Sequence, residues 1–355
     1  MRPIGGQPRR LAECLAGAAP VLALAPMQDV TDLPFWRLLS RYGGPDVYWT
    51  EYFRVHATST LDRPILEAIL ANPTGRPAIA QLIGNDIPSL VRTARELARL
   101  PVAAVDLNLG CPAPVVYRKC AGGGLLREPA KVDAILGALR EALPPGPDAV
   151  KFTVKTRLGF ESPDAFAQLL EIFARHQPDL VTVHGRTVLD MYRTEVRYEA
   201  IAQAVRRLAC PVLANGNVSS PARAAEVLAV TGARGLMIGR GCIRNPWLFG
   251  QIRDHLAGRE PRIPTGHEVL AYVHALYEET TPTAEFSERL QVEKMKKYMN
   301  FIGEGISDAF LHQIRRVASR AEFFRVCAEF LAHDAPMPLL ARRHEPLAGE
   351  RQLTA

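Results

Sequence analysis

Val102-Ala-Ala-Val-Asp106-Leu-Asn108, followed at once by Leu109-Gly110-Cys111-Pro112, is a largely apolar run of strand length that ends in polar, glycine and cysteine residues. Seven more short runs rich in Val, Ile and Leu accompany it: Val21–Ala25, Asp46–Thr50, Ala78–Ile83, Val150–Thr156, Leu180–His184, Val212–Ala214 and Gly235–Ile238. Between them lie helical patterns, among them Phe35–Tyr42, Ile87–Leu100, Lys131–Leu143, Pro163–His176, Tyr198–Leu208 and Pro221–Val230. Continuous apolar runs alternating with helices signify a parallel sheet buried on both faces. Eight such units predict the α/β class and a closed (β/α)8 TIM barrel.

The ends of the runs carry the chemistry. After the apolar part come Pro26-Met27-Gln28, Glu51-Tyr52, Gln81, Asn108, Lys155 with Arg157, His184 with Arg186, Asn215-Gly216-Asn217 and Gly239-Arg240-Gly241. In an α/β barrel these C-terminal strand ends form the active-site face. The two glycine stretches follow the seventh and eighth strands, where barrels often bind phosphate; plain turns are the alternative. There glycine allows close backbone approach and Arg240 adds a permanent charge. Strand alternation places Lys155 and Arg157 on one face. If that face is the barrel interior, the two charges call for an anionic or polar ligand such as a reduced flavin. His184, flanked by Gly185 and Arg186, is suited to an anion or a ring carbonyl. Cys111 sits on a constrained turn directly after a strand, the setting of a general acid. Cys120, in the flexible Gly-rich loop Arg118–Gly124, competes with it.

Length and composition bound the rest. The chain has 355 residues, and a barrel needs roughly 250, so about 100 remain for something else. Hydrophobic residues at 48% and charged residues at 23% exclude wholesale disorder and collagen-like repeats. The six scattered cysteines include no C-x-x-C pair, which argues against a zinc or iron–sulfur site and for a reduced, cytoplasmic setting. No run approaches the roughly 18 apolar residues of a membrane span. Residues 1–18 read as a short extension, 19–258 as the barrel, 264–334 as a separate helical domain and 335–355 as a poorly ordered tail. Net charge is +6, and Phe286–Val326 alone holds eight basic and five acidic residues. Lys294, Lys296 and Lys297 lie there, with Tyr298 and Phe301 among them. Such a stretch is either a solvated helix face or a nucleic-acid contact.

Taken in order, several motifs resemble the tRNA-dihydrouridine synthase family: Leu24-Ala-Pro-Met27 with Thr31-Asp32, Gln81-Leu-Ile-Gly84, Asp106-Leu-Asn-Leu-Gly-Cys-Pro112, Val154-Lys-Thr-Arg-Leu-Gly159, Val183-His-Gly-Arg-Thr187, Val212-Leu-Ala-Asn-Gly216, and Met237-Ile-Gly-Arg-Gly241 leading into Asn245-Pro-Trp247. Thr50–Val55, Cys111–Pro114, Gly159–Ser162 and Tyr192-Arg193 are similar to its C-type bacterial branch. The resemblance implies reduction of the C5=C6 bond of a uridine in the tRNA D-loop, with tightly bound FMN and NADPH as electron donor. It implies Cys111 as proton donor. It sets FMN against Pro26, Met27, Gln81, Lys155 and His184, and its phosphate near Asn215, Gly216, Asn217, Gly239, Arg240 and Gly241. Asn108, Arg157 and Tyr192 fall on the uracil side, and Lys294, Lys296 and Lys297 meet tRNA. A monomer with neither membrane nor metal is expected. The alternative is an FMN-dependent barrel reductase of a free pyrimidine, of the dihydroorotate-dehydrogenase kind, which needs no basic helical domain; a non-catalytic RNA-binding protein is a third reading.

Overall fold

The structure, a computed structural model, describes residues 11–341. Its strands are β1 Val21–Leu24, β2 Val47–Arg54, β3 Ala78–Ile83, β4 Ala104–Leu109, β5 Lys151–Arg157, β6 Leu180–His184, β7 Val212–Asn215 and β8 Gly235–Ile238. Each pairs in parallel with the next, and β8 pairs with β1, so the sheet closes in sequence order. The expected eight-stranded barrel is formed. One strand differs in extent: β2 continues past Thr50 to Arg54, with a register shift against β3 between Trp49 and Tyr52. This bulge keeps Glu51 and Tyr52 inside the strand, where hydropathy alone places them beyond its end.

The helices that follow one another from the N-terminus are α1 Leu11–Ala16, α2 Leu33–Ser40, α3 Arg63–Ala71, α4 Ile87–Leu97, α5 Pro114–Tyr117, α6 Pro129–Ala142, α7 Phe166–His176, α8 Tyr198–Arg207, α9 Pro221–Thr231, α10 Arg240–Arg244 and α11 Leu248–Leu256. Local chemistry starts several of them. The Asp62 and Asp86 carboxylates accept from the third backbone N–H of α3 and α4, and each helix has proline in its first turn.

By packing, the chain forms two compact units. One comprises residues 11–33, 45–218 and 226–238; the other comprises 34–44, 219–225 and 239–341. In the first unit the N-terminal half of the barrel interior is an apolar core that includes Val21, Ala23, Val47, Trp49, Leu180 and Leu213. Leu11 of α1 is buried in the same core. Part of the expected N-terminal extension is therefore a plug for the barrel floor. The Arg234 guanidinium fastens it by donating to the carbonyls of Cys14 (3.1 Å) and Leu15 (2.7 Å), which a helix C-terminus leaves without partners, and to those of Gly17 and Ala19 (2.7 Å) just beyond.

The second unit adds α12 Gly266–Thr280, α13 Glu288–Ile302, α14 Asp308–Ile314 and α15 Arg320–Leu331. Thr265 and Glu268 form a capping box that starts α12. Tyr272, Leu276, Met295, Tyr298, Phe310 and Phe323 are fully buried and build its core. The chain beyond Ala335 does not simply fray. Met337 N donates to Pro264 O at 2.7 Å, Pro336 bridges to Thr265, and Leu339 is buried. An apolar side chain with a backbone tether outweighs the proline content that suggests a poorly ordered tail there. Residues 342–355 lie outside those described.

Candidate active site at the C-terminal end of the barrel

The inward positions of the lower barrel, Ile79, Ala104 and Leu180, are followed two residues on by Gln81, Asp106 and Thr182. Alternation therefore carries the interior from apolar to polar over one pleat. A hydrogen-bonded chain begins at Asp106, which is fully buried. Its Oδ1 accepts from Thr153 Oγ1 (2.6 Å) and its Oδ2 from Gln81 Nε2 (2.8 Å). Gln81 Oε1 accepts from Asn108 Nδ2 (2.8 Å). Asn108 Oδ1 accepts from the backbone N–H groups of Gly110 (3.0 Å) and Cys111 (2.9 Å). Burial pushes the Asp106 carboxyl up to about 6, against the pull of the Thr153 and Gln81 hydrogen bonds and of Lys155. It is thus ionised at neutral pH.

Cations gather on β5 and β6. Burial pulls the Lys155 ammonium down to about 8, with Arg157 adding to the effect and Asp106 opposing it. Thr182, its partner across the β5–β6 ladder, has a buried hydroxyl with no hydrogen-bond partner. His184 Nδ1 lies 3.0 Å from Asn215 Oδ1, and its Nε2 lies 3.4 Å from Arg186 Nη1. Asn215 Nδ2 donates to Met237 O at 2.8 Å, which fixes the amide. His184 Nδ1 therefore carries the proton, and Nε2 faces the guanidinium as an acceptor. Burial, then Arg157, Lys155 and Arg186, holds the imidazole well below its usual range, so it stays neutral.

Arg157 has a structural task that its place in the sequence does not show. Its guanidinium is buried and donates from Nε to Gly110 O (3.0 Å) and from Nη1 to Thr187 O and Met191 O (both 2.8 Å). It ties the Cys111 turn to the loop after β6. On that loop the Tyr192 ring is half exposed, 5.4 Å from Arg157 Cζ and 6.2 Å from the His184 ring. Tyr192 thus reaches the opening while Arg157 braces the walls.

Cys111 is partly buried against Tyr52, Ile83 and Val116, and burial together with the neighbouring thiol raises the Tyr52 hydroxyl above its ordinary value. The glycines after it are packed, contrary to the expectation of a flexible loop. Gly122–Arg127 is a 3-10 helix, and Gly123 N donates to Cys111 O at 3.2 Å. A Cβ on Gly123 would lie 2.8 Å from that oxygen, and one on Gly122 would lie 3.1 Å from Cys111 Cβ. These residues are glycine because the turn bearing Cys111 presses on them. Cys120 adopts φ 50° in the preceding turn, outside the Tyr52 pocket.

The remaining candidates divide. Met27, after β1, is held by Thr31, whose Oγ1 accepts from Met27 N at 2.8 Å; Pro26 precedes it in the same turn. Gly216 has φ 130°, and Arg186 Nη1 donates to Asn217 Oδ1 at 3.3 Å, so Asn215–Asn217 forms a tight turn after β7. Gly239 directly follows β8, and Arg240 and Gly241 open α10. On α13, Lys297 is exposed, Lys296 is paired with Glu293 at 3.5 Å, and Lys294 Nζ lies 5.2 Å from the Phe286 ring centroid. Tyr298 is a core residue stacked on Phe35 at 6.1 Å, not an aromatic among surface charges. Sequence reasoning passes over Thr153 and gives Asp106 and Arg186 no role of their own. Period-2 alternation from Asn108, Lys155 and His184 finds all three. Among the described residues, no cluster of three or more His, Cys, Asp or Glu side chains is placed to hold a metal ion, and no helix is long and apolar enough to cross a membrane.

A closed parallel barrel with a cysteine turn, a neutral histidine and an inward-facing lysine at one end is built as a flavin-dependent oxidoreductase. The family model for dihydrouridine synthase (Dus) matches residues 23–333, and the chain belongs to that family. It is 30% identical over 317 residues to a tRNA-dihydrouridine(16) synthase of Neisseria meningitidis, covering 87% of this chain and 94% of the relative. It is 33% identical over 267 residues to tRNA-dihydrouridine synthase B of Pseudomonas aeruginosa, covering 73% and 79%. Among solved structures, histamine dehydrogenase from Rhizobium sp. 4-9 superposes with a TM-score of 0.50 at 13% identity, covering 88% of this chain and 62% of that one, a likeness of fold.

Proposed function

We propose that this protein reduces the C5=C6 bond of a uridine in the tRNA D-loop to dihydrouridine, with FMN as bound cofactor and NADPH as reductant. The observation that carries the reading is Lys155. Its ammonium lies inside the barrel beside the Cys111 turn, with no hydrogen bond or ion pair among the described residues, next to the unpartnered Thr182 hydroxyl. Such donors suit the pyrimidine edge of a flavin, where negative charge collects on reduction. FMN, when bound, supplies the hydride. The chain does the rest. Lys155 and neutral His184 hold the ring edge, and Pro26, Met27 and Gln81 lie toward it. Asn215–Asn217 and Gly239–Gly241 take the phosphate. Asn108 and Tyr192 meet the uracil, and Cys111 gives its thiol proton to C5. The extruded base must reach a recessed barrel end. Phosphate contacts from exposed Arg289 and Lys297 on α13 then hold the tRNA. Because the (16) synthases match the larger share of the chain, position 16 is the uridine of choice.

The test is the visible spectrum of the purified protein, followed by NADPH and unmodified tRNA and an assay for dihydrouridine. A flavin spectrum with dihydrouridine at position 16 is expected. Reduction of a free pyrimidine without activity on tRNA would replace this reading by the dihydroorotate-dehydrogenase-like one. Failure to take up FMN would remove the flavin assignment.

A further inference from the structure

We infer that Asp106 is a positioning residue that sets the sense of a hydrogen-bond relay ending on the Cys111 turn. The inference rests on Cys111 having the role proposed above; the relay itself involves neither cofactor nor tRNA.

An ionised carboxylate only accepts hydrogen bonds. Facing Asp106 Oδ2 at 2.8 Å, Gln81 must present its NH2 group. Its oxygen is then turned to Asn108, which must donate from Nδ2 at 2.8 Å. That leaves Asn108 Oδ1, and only Oδ1, for the N–H groups of Gly110 and Cys111 at 3.0 and 2.9 Å. The Gly110 and Cys111 N–H groups only donate and the Asp106 carboxylate only accepts, so the amide pair between them has one orientation. All three side chains are buried, so water does not replace a mismatched partner. Thr153, donating to Oδ1 at 2.6 Å, holds the carboxylate plane. Arg157 takes the Gly110 carbonyl at 3.0 Å, so the turn is gripped by its N–H groups on one side and its C=O on the other. The carboxylate two residues below a catalytic turn is there to give direction to the amides above it.

The relay makes a prediction that simple core packing does not: its polarity is reversible. Asp106→Asn removes the obligate acceptor. Asn108→Asp sets an acceptor against Gln81 Oε1. The second change alone leaves two acceptors facing each other; the first alone does not, because the amide at 106 can accept from Gln81 Nε2 and donate to the Thr153 hydroxyl. Together they restore a complete relay with Gln81 reversed. The amide at 106 donates to Gln81 Oε1, Gln81 Nε2 donates to the carboxylate at 108, and that carboxylate still accepts from the Cys111 N–H. The number of buried charges is unchanged.

The experiment follows the rate of Cys111 alkylation by iodoacetamide, read by mass spectrometry of its peptide, in wild type, both single variants and the double variant as purified. Asn108→Asp is expected to alkylate Cys111 about fivefold faster or more, the factor corresponding to one lost hydrogen bond, and Asp106→Asn within about twofold of wild type. The double variant is expected within about twofold of wild type, the scatter of near-additive sites. Asn108→Asp at the wild-type rate, or a double variant no slower than Asn108→Asp, would overturn the relay. If a single variant does not fold, recovery of folding in the double supports the relay and its absence overturns it. The readout separates two failures. Unchanged alkylation in an enzyme that makes dihydrouridine rejects the relay alone. The compensating pattern in a protein inactive on tRNA rejects the proposed function alone.

Discussion

At the N-terminal end of the barrel, Val21, Ala23, Val47, Trp49, Leu180 and Leu213 meet Leu11 of α1 in an apolar plug. Towards the C-terminal ends of β3 to β6 the inward residues are Gln81, Asp106, Thr153, Thr182 and Lys155. The two ends share their alternation and their closure but not their energetics. Apolar packing at the floor stabilises by roughly 25 cal/mol for each Å² removed from water and has no direction. The groups at the other end stabilise nothing until each finds a partner, and the partners they find are directional. The floor tolerates any well-fitting apolar set, whereas the far end needs every donor matched to an acceptor along the whole relay.

The sharpest way to break this contrast is to remove the reactive atom. Cys111→Ala keeps the turn, since the relay grips backbone N–H groups and not the thiol. Dihydrouridine formation should fall by about 10²–10⁴-fold, the usual worth of a positioned proton donor, while the flavin spectrum stays. Undiminished turnover would take Cys111 out of the chemistry. At the floor, Leu180→Ala should cost about 2–5 kcal/mol of stability in urea unfolding and leave the catalytic rate of the folded fraction alone. A rate loss as large as that of Cys111→Ala would mean the two ends are not separable.

Much of this division is legible in the amino-acid sequence. The eight apolar runs with polar ends specify a barrel and its active face because period and strand length are local properties. Lys155, Asn108 and His184 follow from alternation. The bulge that keeps Tyr52 in β2, and so beside Cys111, does not, because it is decided by pairing with β3. The bracing by Arg157 is not legible either, because its partners, three carbonyls from two loops, are distant in sequence. Tyr298 misleads for a related reason. Helical periodicity defines faces, but which face of α13 is buried depends on what packs there, here Phe35 among others.

The smallest effects sharpen the comparison most, because they have opposite pH dependence. Lys155 is held at about 8, below its ordinary 10.5, so the folded state carries its charge at a cost. That cost is full below pH 8 and vanishes above about 10.5, where the folded and unfolded chains are both neutral. Lys155→Met should therefore raise the stability of the flavin-free protein by about 1–3 kcal/mol at pH 7, with the gain constant below pH 8 and shrinking only above it. Glu51 is pushed up to about 7 from 4.5, by burial first and then by Asp32 and Asp29. Here the sign reverses. Wild type bears no penalty below about pH 4.5, where the carboxyl is protonated in both states, and the full penalty above pH 7. Glu51→Gln should gain about 1–2 kcal/mol at pH 8, after allowance for its partial exposure, and nothing at pH 4.5. Chemical unfolding of the two variants across pH 4.5–8 checks both. Glu51→Gln should draw away from wild type as pH rises while Lys155→Met keeps a constant lead. If neither exceeds wild type at pH 7–8, water or a counter-charge already relieves these groups, and the active end of the barrel is no more strained than its floor.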